Sequence, residues 1–116
     1  MIWNQLAAAL MVATGLAHSV IGERRLIGPL LAIDAPLLRV MLARRVIRFA
    51  WHLTTLLMGL CAVLVLWPAM PRLVIAVTGG LWFAAGVFDA VATRGQHIGW
   101  PLLTLAGLAA LMGASA

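Results

Sequence analysis

Residues 46–67 read VIRFAWHLTTLLMGLCAVLVLW, an apolar run in which Arg48 is the only formal charge and Pro68 and Pro71 follow at once. At 1.5 Å per residue such a run covers about 33 Å, enough to cross a hydrocarbon core of roughly 30 Å as a helix. Working outward, three more stretches have the same character. Residues 2–21 carry no charge, residues 72–92 hold one acid (Asp89), and residues 98–115 form the shortest run. The expected fold is therefore all-α: an integral membrane four-helix bundle, with the chain from 1 to 116 forming a single transmembrane domain.

Composition agrees. The chain is 65% hydrophobic with a mean hydropathy of +1.10, and carries only eight basic and three acidic side chains. That is too little charge to coat a water-soluble domain of this size. It excludes a soluble enzyme domain, a disordered tail and a nucleic-acid module, in spite of a net charge of +5. The lone Cys61 excludes a disulfide framework and a cysteine-based zinc site within one chain.

The arginines set the expected orientation. Arg24, Arg25, Arg39, Arg44, Arg45 and Arg48 gather between the first and second runs, Arg94 lies between the third and fourth, and Arg72 stands alone at the other side. By the positive-inside rule both arginine-bearing loops face the cytoplasm of a bacterial-type inner membrane, with both termini outside. Residues 1–5 hold no positive charge, so the first run reads as a retained helix and not as a cleaved signal peptide. Residues 23–45 are apolar in two short pieces broken by Pro29, Asp34 and Pro36. They read as an interfacial or re-entrant segment between helices 1 and 2, with Asp34-Ala35-Pro36 opening a helix that continues into the second span. Arg44, Arg45 and Arg48 would then face anionic lipid headgroups.

Small residues four apart mark faces where helices approach closely in lipid. Ala9, Ala13 and Ala17 form such a row, as do Gly80 with Ala84, Ala106 with Ala110, and Ala109 with Gly113. These rows suggest a compact bundle that self-associates or joins a larger membrane complex.

Ionisable residues inside or beside a span are costly, so each is a candidate for function. His18, Glu23, His52, Asp89 and His97 all fall near the cytoplasmic end, one or more from each helix region. Turned inward, His18, His52, Asp89 and His97 would offer a first shell suited to Zn²⁺, Fe²⁺ or Mn²⁺, with Glu23 as substitute or support. His18 and His52 on facing helices could instead hold haem b. Without a metal, the same groups would serve a small transporter as a proton relay. The plainer alternatives are interhelical hydrogen bonds and surface ion pairs, in which case the chain is an accessory or assembly subunit with no site of its own. No HExxH, paired ExxH or CxxC motif is present, so the expectation rests on shared depth and shared face.

Overall fold

The structure is a computed structural model that describes residues 2–116. It is all-helical, with four main helices: α1 (Ile2–Leu31), α2 (Met41–Leu66), α3 (Arg72–Ala92) and α4 (Trp100–Ser115). The first three are long and apolar enough to cross a membrane, whereas α4, at 16 residues, is shorter than a span. Of the four expected spans, three are matched by helices of span length and the fourth by a shorter apolar helix.

α1 runs past the expected end at residue 21. Pro29 has no N–H to donate and its ring crowds the preceding turn, which normally breaks or kinks a helix. Here the helix widens instead into a π-helical turn at Glu23–Ile27, where the N–H of Gly28 reaches back to the carbonyl of Glu23, and then continues to Leu31. A π turn absorbs the extra residue without ending the helix. The remaining link is a turn and a short 3₁₀ segment, Leu37–Arg39. Asp34 does not cap a helix. Its carboxylate accepts hydrogen bonds from Arg39 at 2.8 and 3.1 Å, and α2 starts at Met41 behind an extended Val40. Ile27, Leu31 and Leu38 bury one another in a small cluster against Ile47 and Trp51. Residues 23–45 thus form a helical extension with a packed return.

The helices lie in the spatial order α2, α1, α4, α3. α1 packs on α2 and α4, α4 packs on α3, and α2 makes little contact with α3 although a short turn joins them. The molecule measures 52 × 31 × 19 Å, wider than it is thick. Its accessible surface of 7516 Å² exceeds the roughly 6,100 Å² expected for a compact soluble monomer of this mass.

What is buried is small. Ala7, Ala8 and Met11 of α1 meet Ala62 and Val65 of α2, Ile75 and Trp82 of α3, and Ala106, Ala109 and Ala110 of α4. What is exposed is large: along α2 alone, Phe49, Leu53, Leu56, Leu57, Leu60 and Val63 point outward. Small residues inside and leucines outside is the reverse of a soluble core. It suits helices that gain from close approach while hydrocarbon covers their outer faces.

The closest approach is between α3 and α4. A Cβ on Gly79 would lie 2.9 Å from both the Ala110 Cβ and the Gly107 carbonyl oxygen, and one on Gly107 would strike the backbone of Phe83. The expected rows shift accordingly. Gly80 faces open space and Ala84 is exposed, so Gly79 and not Gly80 makes the seam; Ala9 and Ala13 are likewise exposed, and α1 buries Ala7, Ala8, Met11, Thr14 and Gly15. On α4, Ala106, Ala109 and Ala110 are buried as their spacing suggested.

Candidate functional site

The polar residues gather at the end of the molecule opposite the alanine core. Ser19 and Glu23 are one turn apart on α1. Arg48, His52 and Thr55 follow one another by a turn on α2, so the two stripes face each other. Glu23 accepts hydrogen bonds from Arg48 at 2.9 Å on one oxygen, and its other oxygen lies 3.0 Å from His52 Nε2. The opposite ring nitrogen, His52 Nδ1, lies 2.9 Å from Ser19 Oγ, which is 2.6 Å from Thr55 Oγ1. A carboxylate can only accept, so His52 carries its proton on Nε2 when neutral. Nδ1 then accepts from Ser19, and Ser19 accepts from Thr55. When His52 is protonated both nitrogens donate, and the two hydroxyls turn to pass the bonds the other way. The chain from Thr55 to Glu23 therefore stays satisfied in both states.

His18 belongs to a separate arrangement one residue around α1. Its ring stacks on the Trp51 indole at 4.1 Å with the planes 11° apart. Its Nε2 lies 2.7 Å from Thr54 Oγ1 and 3.2 Å from the Trp51 carbonyl oxygen, and the Trp51 indole N–H donates to the His18 carbonyl at 3.0 Å. The indole can lie this close because residue 22 is glycine; a Cβ there would sit 2.5 Å from the ring.

Asp89 and His97 form a third unit at the same end, with His97 Nδ1 2.6 Å from Asp89 Oδ2. A helix stop brings them together. After α3 the chain turns through Arg94 (φ 53°) and Gly95 (φ 74°). The N–H of Gly95 bonds the Ala90 carbonyl at 2.7 Å and that of Arg94 the Val91 carbonyl at 3.2 Å, the Schellman pattern. The reversal carries His97 back over the last turn of α3.

The five expected site residues therefore share one end of the protein but not one centre. His52 pairs with Glu23, His97 pairs with Asp89, and His18 binds Trp51 and Thr54. Among the described residues, no three His, Cys, Asp or Glu side chains are grouped to hold a metal ion. The expectation of a common metal centre built from His18, His52, Asp89 and His97, with Glu23 in support, is corrected. The residues also do not fit haem b as a His18–His52 pair, because both ring nitrogens of His52 already have protein partners. Arg48 pairs with Glu23, whereas among the described residues Arg44 and Arg45 join no ion pair.

Sequence reasoning missed Ser19 and Trp51. The signal for Ser19 was its one-turn spacing from Glu23. Beside His18 and Trp51 lies a cavity of about 430 Å³, closed on its far side by residues 96–99 and the first turn of α4. In comparison with known proteins, no family model, curated protein or solved structure matches the chain.

Proposed function

We propose that this chain is a multi-pass protein of a bacterial-type inner membrane, of the small-transporter class, in which Glu23, His52 and Arg48 act as a protonation-controlled latch between α1 and α2. The carrying observation is the hydrogen-bond chain from Thr55 through Ser19 and His52 to Glu23, which remains complete whether or not His52 bears a second proton. Such a chain can take up and pass a proton without leaving a polar group unpaired beside lipid. Membrane insertion is supported by the three span-length helices and by the large apolar side chains on their outer faces. The arginine bias supports a cytoplasmic position for the latch, with both termini outside.

Protonating His52 converts its bond to Glu23 into an ion pair and tightens the α1–α2 end. Glu23, Arg48 and Ser19 touch it directly, while His18 lies one residue further around the same interface and His97 lies across the cavity. The test is a pair of spin labels at exposed Val20 and Leu53 in a Cys61→Ala background, reconstituted in lipid. The label separation is expected to narrow on acidification. His52→Gln, which keeps a hydrogen bond but has no basic nitrogen, should hold one separation throughout. An identical response in the two proteins would overturn the latch.

A second reading is an accessory subunit of a larger membrane complex, or a homo-oligomer. It is favoured by α2, whose most apolar stretch is only 11% buried, against 28% for α1 and 22% for α3. Cross-linking from Leu56 and Leu60 in native membranes would capture a partner, or a second copy, along that face.

A further inference from the structure

The latch makes no use of the cavity beside it. The cavity exists because α4 is short. α4 runs alongside α1 from Gly113, which abuts Asn4, back toward Thr14, and then gives way to a loop where α1 continues to Leu31. The space left beside the last turns of α1 has an apolar interior and a polar rim. Ile21, Trp51, Leu102 and Leu103 are half-buried within it, while Arg25 and His97 are exposed at its edge. About 430 Å³ falls within the 300–1,000 Å³ usual for small-molecule sites.

Among the described residues, Arg25 joins no ion pair. The three acidic side chains of the chain are all engaged elsewhere: Glu23 by Arg48 and His52, Asp34 by Arg39, and Asp89 by His97. A guanidinium at the lip of an apolar cavity, with no internal counter-ion, is matched by a molecule that brings its own negative charge together with an apolar body. We infer that this cavity binds an anionic amphiphile, its carboxylate or phosphate head on Arg25 and its tail against Ile21, Trp51, Leu102 and Leu103. The inference does not rest on the latch.

Bromine quenches indole fluorescence on contact, and Trp51 lines the cavity, so with Trp3, Trp67, Trp82 and Trp100 replaced by phenylalanine brominated probes report its occupancy. The protein would be placed in nanodiscs of zwitterionic phosphatidylcholine and titrated with a brominated fatty acid, the matching brominated fatty alcohol, and brominated phosphatidylglycerol. Saturable quenching by the acid is expected about tenfold or more tighter than by the alcohol, the factor that one charge-assisted hydrogen bond confers. Arg25→Gln should bring the acid to the level of the alcohol, Arg25→Lys should keep much of the preference, and Arg24→Gln should keep all of it. A stronger preference for phosphatidylglycerol than for the free acid would make a lipid headgroup the source of the anion. A stronger preference for the acid would make it a free amphiphile. Equal quenching by acid and alcohol, with no preference for phosphatidylglycerol, overturns the inference. So does equal loss in Arg24→Gln and Arg25→Gln. His52→Gln disables the latch without touching the cavity lining and should leave the preference intact, so failure of one reading is separable from failure of the other.

Discussion

Two helix pairs in this protein are held by opposite means. α3 and α4 meet backbone to backbone along Gly79, Gly86 and Gly107, with no side-chain hydrogen bond between the two helices. α1 and α2 meet at one end through Ser19, Glu23, Arg48, His52 and Thr55, and beside these through His18 and Trp51. In hydrocarbon, leucine against leucine gains little over leucine against lipid, so association needs close packing or polar bonding. This chain uses each in a different place. The glycine seam has one good geometry and resists change. The polar end is held by side-chain hydrogen bonds whose hydroxyl partners can rotate.

The sharpest way to break that contrast is Gly107→Ala. Its Cβ would meet the Phe83 backbone, which cannot swing aside as a side chain can. Overpacking of this kind costs about 1–3 kcal/mol. Loss of stability in that range is expected by denaturant titration in mixed micelles, and an unchanged midpoint would mean the seam is loose. Ser19→Ala should cost less. It removes the hydroxyl between His52 and Thr55, and interhelical hydrogen bonds in membranes average roughly 0.6 kcal/mol. The more telling readout is the label separation between α1 and α2, which should still narrow on acidification because the Glu23 contact of His52 is untouched. Gly80→Ala sharpens the seam from the other side. Nothing lies within 4 Å of its would-be Cβ, so the change should be neutral or stabilise by up to about 1 kcal/mol through helix propensity.

The smallest effect is expected at Asp34. Hydrogen bonds from Arg39 hold its carboxyl below the usual carboxylate range. A lowered native value means that its contribution is complete above the unfolded value of about 3.9 and is lost as pH falls through the lower folded one. Both partners are exposed, so the pair is weak and salt-sensitive. Carboxyl chemical shifts of Asp34 followed to low pH, with and without Arg39→Gln, would show the midpoint rise on removing the guanidinium. Neither stability nor the α1–α2 separation should change measurably.

The sequence made some of this legible and hid the rest for identifiable reasons. α3 spans Arg72–Ala92, the bounds of the apolar run that follows Pro71, because those boundaries are local chemistry. The extent of α1 was hidden because Pro29 ordinarily signals a stop, and only the π turn before it lets the helix continue. The depth of His18, Glu23, His52, Asp89 and His97 could be counted along each helix, and they do share one end. Which helices are neighbours could not be counted. The order α2, α1, α4, α3 brings Glu23 to His52 and leaves Asp89 to His97, so one expected centre becomes two pairs and a separate His18. Arg48 looked like one of several topology-setting arginines. Its choice of Glu23, 25 residues away in sequence, is fixed by the α1–α2 register alone.

The brevity of α4 has a consequence for the surroundings as well as for the cavity. At 16 residues it is about 24 Å long, against a hydrocarbon thickness of roughly 30 Å. Its neighbour α1, at 30 residues, is about 45 Å long. A bilayer around such a protein cannot match both edges at once. Inserted in a bilayer, the protein would require thinning on the α4 side or tilting of α1, a mismatch with a cost for each ångström that thick, saturated lipid would raise and thin lipid would relieve.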